Sequence, residues 1–129
     1  MEKFKCYAFL CTQNNERYRR FSEETGSPIS AGYANGYVAV PEGHPLYGVS
    51  YSEVDLDIHG GLTFAEKSSV VHDSFDEVNI EYLDGELPYG YWVFGFDTMH
   101  YLDNIENCPR EWCVAETNRL KKQLEEWEV

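Results

Sequence analysis

The residues best suited to chemistry are three histidines and a few aspartates. In Asp55-Leu56-Asp57-Ile58-His59 the polar residues share one parity, and Val54, Leu56 and Ile58 share the other. On a β-strand that alternation places two carboxylates and an imidazole on one face and the apolar side chains on the opposite one. A carboxylate and an imidazole recur at Asp97 and His100, and His44 is fixed between Gly43 and Pro45. Zinc takes four ligands from imidazole, thiolate and carboxylate. His44, His59, Asp97 and His100 make a closed set of that kind, with Asp55 and Asp57 as replacements or as groups that orient an imidazole. His59 and His100 also suit a core in which Asp57 and Asp97 satisfy them, and spacing leaves both readings open. His72, in a polar segment without such framing, is left out.

A catalytic zinc keeps an open position beside a general base. Asp55 or Asp57 would supply the base of a hydrolase acting on a phosphodiester or amide. Phosphate is normally held by a basic or glycine-rich cradle, and only Gly60-Gly61 offers one, in acidic surroundings. There is no GxSxG, P-loop or HExxH motif. A structural ion tying strand, loop and turn together is the simpler expectation.

These groups have to be carried by a scaffold. Lys3–Leu10 and Gly36–Val40 read as strands, and Asp55–Phe64 as a longer one, bulged at Gly60-Gly61. Within the polar stretch Ser68–Glu86, Val78, Ile80 and Tyr82 alternate, and Asp84-Gly85 is a hairpin-type dipeptide. Tyr89–Phe96 is apolar and aromatic enough for a buried central strand. A short helix is expected near residues 14–24, with Tyr18 and Phe21 at helical spacing beside Arg17, Arg19 and Arg20. Pro109 suits the opening of a helix. Beyond it, Cys113, Thr117, Leu120, Leu124 and Trp127 fall on one face of an amphipathic helix. The expected class is α+β: an antiparallel sheet with the C-terminal helix across one face.

The chain has 129 residues, enough for one domain with a real core, and 16% of them are aromatic, which argues against disorder. No apolar run approaches membrane-spanning length and no signal peptide is evident, so a cytoplasmic protein is expected. The formal charge is −13, and no Lys or Arg lies between Lys67 and Arg110. Such a surface repels nucleic acid and membrane and is drawn to basic partners. The acidic segment containing Asp73, Asp76, Glu77, Glu81, Asp84 and Glu86 is the candidate contact surface. Cys6, Cys11, Cys108 and Cys113 match no CxxC knuckle and read as buried free thiols.

Three motifs carry a resemblance: GYVAVPEGHPLYG at Gly36–Gly48, DLDIHGGLTF at Asp55–Phe64 and WVFGFDTMH at Trp92–His100. Together they resemble a family of small phage- and prophage-encoded proteins. In its acidity and size the chain is also similar to the anti-CRISPR proteins of type II-A systems, which include a zinc-containing inhibitor. That resemblance implies a protein of the infected host's cytoplasm that binds the RNA-guided DNA endonuclease and blocks target loading. It also implies one structural zinc, with His44, His59, Asp97 and His100 as the shared positions. The competing expectation is a hydrolase or a sequestering protein acting on a nucleotide defence signal.

Overall fold

A computed structural model describes residues 4–12, 20, 23–26, 31–99, 103 and 106–127. Five strands form one antiparallel sheet: β1 (Tyr7–Thr12), β2 (Ala34–Val40), β3 (Phe64–Lys67), β4 (Ile80–Tyr82) and β5 (Trp92–Phe96), in the order β3-β5-β2-β1-β4. Helix α1 (Ser68–Ser74) and helix α2 (Arg110–Glu125) complete the α+β architecture, with 3₁₀ turns at Tyr51–Glu53 and Glu77–Asn79. No helix among the described residues is long and apolar enough to cross a membrane.

Strand alternation divides the core between the two faces of the sheet. Ala8, Val38, Val40, Phe94 and Phe96 point to one side, where they meet Leu120 and Leu124 of α2. Phe9, Tyr37, Ala39 and Val93 point to the other and meet Val71 of α1 and Leu87. Leu120 and Leu124 are fully buried, and each contributes about 1.5–3 kcal/mol by leaving water. Two glycines set the clearances. A Cβ on Gly36 would stand 2.2 Å from Thr117 Oγ1, so a bare backbone lets α2 approach β2. A Cβ on Gly95 would stand 2.4 Å from the Tyr37 ring, which occupies that space instead.

The strand expected over Asp55–Phe64 is largely a loop. Ile58 N–H donates to Leu56 O and Gly61 N–H to Ile58 O, and Gly60 and Gly61 have φ of +70° and +78°, so the chain turns before β3 begins at Phe64. The inside-outside alternation survives without the strand: Leu56 and Ile58 are buried while Asp55 and Asp57 are exposed. Loop 54–62 is held to α2 instead of to a neighbouring strand. Asp84-Gly85 forms a turn, with Gly85 at φ +98°, but β4 pairs with β1 and not with β5. Within the stretch expected to be merely polar, Ser68–Ser74 is helical because Ser68 and Val71 find buried positions. Of the helix expected near residues 14–24, Arg20 and residues 23–25 are helical, and the other positions lie outside the described residues.

Candidate metal centre

His59 is placed by α2. Its backbone N–H donates to Glu116 Oε2 at 2.7 Å, and its ring stands edge-on to Trp112 at 4.8 Å. One residue pair earlier, Asp57 N–H donates to Gln123 Oε1, while Asp57 O accepts from Gln123 Nε2 and from the Arg119 guanidinium. Arg119 in turn pairs with Glu116 at 3.1 Å. Three polar residues spaced along one helix face thus fix the loop backbone, and the loop delivers the imidazole.

That imidazole meets Asp103. His59 Nε2 lies 2.9 Å and 3.0 Å from the two carboxylate oxygens, and Asp103 is only 5% exposed. Cys108 Sγ donates to the same Oδ1 at 3.7 Å. Cys108 is positioned by the segment before β2: its carbonyl accepts from Tyr33 N–H at 2.9 Å, and its Cβ lies where a side chain on Gly32 would have to stand. One donor atom from each of His59, Asp103 and Cys108 falls within 4.8 Å of the other two.

The trio is chemically fitted to a cation. Zinc bonds of about 2.0–2.3 Å in tetrahedral geometry put ligand atoms roughly 3.3–3.8 Å apart. The observed separations straddle that range, so small side-chain shifts would admit an ion between them. A buried carboxylate is costly unless it is paired or coordinated, and Asp103 is served by a neighbouring imidazole and a thiol, both of which are also metal-ligand types. His59 retains 29% side-chain exposure, so the centre lies at the edge of the core and not in its middle.

The other residues expected at a metal take different positions. His44 is buried with both ring nitrogens engaged: Nδ1 accepts from Leu46 N–H at 3.0 Å, and Nε2 donates to Leu124 O at 2.8 Å. Burial lowers its pKa below the ordinary 6.5, opposed by the bond to Leu124. It secures the Pro41–Gly48 loop to the end of α2. Asp97 caps the turn after β5, with Oδ1 accepting from Met99 N–H at 3.1 Å. Asp55 is exposed, and Asp57, whose side chain is 94% exposed, lies 3.5 Å from Arg119. Neither Asp97, Asp55, Asp57 nor His44 belongs to the trio around His59, and His100 lies outside the described residues.

Neither Asp103 nor Cys108 is among the ligands expected from sequence. Cys108 is the buried free thiol its sequence context predicts. The spacing of these two residues matches no metal motif, and their juxtaposition with His59 arises from tertiary contacts alone.

Among the acidic residues expected to meet a partner, Glu81 and Asp84 are engaged internally. Arg110 forks onto Glu81, which also accepts from Tyr33 Oη, and this bonding to Arg110 holds the Glu81 carboxyl below its usual range. Asp84 accepts from Ala8 N–H at 2.8 Å and pairs with Lys121 at 3.0 Å. Asp73, Asp76, Glu77 and Glu86 are exposed. No protein-family model, curated protein or solved structure matches this chain.

Proposed function

We propose that this chain is a zinc-stabilised acidic binding protein whose partner is the RNA-guided DNA endonuclease of a bacterial host, inhibited by occlusion of its nucleic-acid channel. The observation that carries the reading is the largely buried His59–Asp103–Cys108 trio at the edge of the core. Its three donors come from two segments far apart in the chain, His59 from one and Asp103 and Cys108 from the other, so an ion there would tie loop 54–62 to the region preceding α2. Nitrogen, oxygen and sulfur donors together favour zinc over magnesium or calcium, which prefer all-oxygen sites. The exposed carboxylates of Asp73, Asp76, Glu77 and Glu86 support a basic partner, and such endonucleases hold nucleic acid in positively charged channels.

Two measurements test this. Elemental analysis of the purified protein should return one zinc per chain, and the protein should suppress target-DNA loading by a type II endonuclease. A well-folded, metal-free protein would remove the zinc, and undiminished loading at saturating protein would remove the inhibitor.

One feature favours a second reading, a metal-dependent hydrolase of nucleotide signals. Three protein ligands with a partly exposed histidine is the number a catalytic zinc takes from its protein. Turnover on a panel of cyclic and linear nucleotides, abolished by His59→Ala, would select it.

A further inference from the structure

On the face of the sheet opposite α2, a second arrangement stands apart from the metal centre. His72 of α1 has its Nε2 within 2.9 Å of Leu87 O, where it donates, and its ring stacks on Tyr89 at 4.3 Å with the planes 16° apart. Tyr89 is nevertheless 71% exposed, so His72 covers part of the ring and leaves much of it to solvent. Val78, on the adjacent 3₁₀ turn, is 90% exposed. The exposed charged side chains of this stretch, Asp73, Asp76, Glu77 and Glu86, are acidic. Asp73 follows His72 and Glu86 stands three residues before Tyr89, and both carboxylates are exposed, as is Glu77; burial, then the charges of Glu77 and Glu86, raise the pKa of Tyr82 nearby. No Lys or Arg occurs between Lys67 and Arg110 in the sequence, and the basic side chains Arg110 and Lys121 that reach this stretch pair with Glu81 and Asp84.

We propose that the stacked His72–Tyr89 pair is a platform for an arginine side chain of a cationic protein segment, with Glu77 and Glu86 supplying the paired carboxylates. This deepens, and rests on, the reading of a basic protein partner. Arginine fits better than lysine because its planar guanidinium stacks on an aromatic face and forks onto a carboxylate. A nucleobase would also stack, but its phosphates would meet Glu77, Glu86, Asp73 and Asp76, all unfavourable to an anion.

The test uses the full chain and two synthetic peptides, nona-arginine and nona-lysine, titrated by calorimetry at low and moderate salt. The arginine peptide should bind more tightly than the lysine peptide. Tyr89→Ala should weaken the arginine peptide about threefold, as loss of an exposed cation–π contact does, and Tyr89→Phe should not. Glu77→Gln with Glu86→Gln should flatten the salt dependence. Equal affinity for both peptides, or no effect of Tyr89→Ala, would reduce the surface to general acidity and overturn the platform. An oligonucleotide that binds and is lost on Tyr89→Ala would overturn it in favour of base stacking. Arginine selectivity in a protein that leaves endonuclease loading untouched would keep the platform and reject only the endonuclease as partner.

Discussion

Asp103 stands between His59 and Cys108: its Oδ1 is 2.9 Å from His59 Nε2 and 3.7 Å from Cys108 Sγ. Without an ion the carboxylate is the shared acceptor of an imidazole and a thiol. With one, all three would serve as ligands, the thiol giving up its proton and the imidazole binding through an unprotonated nitrogen.

Metal removal is therefore expected to destabilise the fold. At free zinc a hundredfold above its dissociation constant, the ion adds about 2.7 kcal/mol. For a domain of this size, chelation should lower Tm by about 10 °C. Cys108→Ser and His59→Ala should each abolish the chelator-sensitive part of Tm, a response that ordinary loss of packing would not produce. A chelator response unchanged in both variants would refute the ligand assignment.

His44 predicts an acid-sensitive stability. Its folded pKa is depressed, so between that value and 6.5 the unfolded chain binds the proton more readily than the native one. Stability from this residue is complete above 6.5 and falls as pH drops through the window below it. Urea unfolding from pH 8 to 5 should show that decline, and His44→Ala should lessen it. The variant should also cost about 1–3 kcal/mol at neutral pH, because Leu124 O and Leu46 N–H lose their partner.

Gly36→Ala and Gly43→Ala form a contrasting pair. The added methyl at Gly36 meets Thr117 Oγ1 at 2.2 Å and the Phe96 ring at 2.5 Å, whereas at Gly43 nothing lies within 4 Å. The first should cost about 1–3 kcal/mol through overpacking, and the second should stay near neutral. Denaturant midpoints for the two variants decide the matter.

The acidic residues separate by role. Asp84→Ala should cost about 1–2 kcal/mol, because Ala8 N–H on the buried strand β1 loses its acceptor. Asp73→Lys combined with Glu77→Lys should leave stability within about 0.5 kcal/mol. It should also weaken endonuclease binding and blunt its salt dependence. Thermal melts together with binding at two ionic strengths distinguish these outcomes.

Much of the scaffold is legible from sequence because it follows local periodicity. Cys113, Thr117, Leu120 and Leu124 recur at helical spacing and are the buried side of α2. The apolar Trp92–Phe96 run is an interior strand of the sheet, as its composition implies. At residues 54–58 the burial pattern is right and the backbone wrong, since α2 can bury alternate residues of a loop as readily as a strand can. Helix α1 escapes notice because its seven residues bury only Ser68 and Val71. The His59–Asp103–Cys108 trio is the least legible part. His59 stands out beside two glycines, but Asp103 and Cys108 reach it through Tyr33, Gly32 and Trp112, contacts that no local spacing encodes.

The sheet's register also dictates a sequence of events in time. Its middle pair joins Gly36–Val40 to Trp92–Phe96, so more than half of the chain has to be synthesised before the two can zip together. Domains closed by such distant pairing fold on the slow side. His59 precedes that late strand, whereas Asp103 and Cys108 follow it. An ion held by all three would therefore join the segment before that late strand to the segment after it.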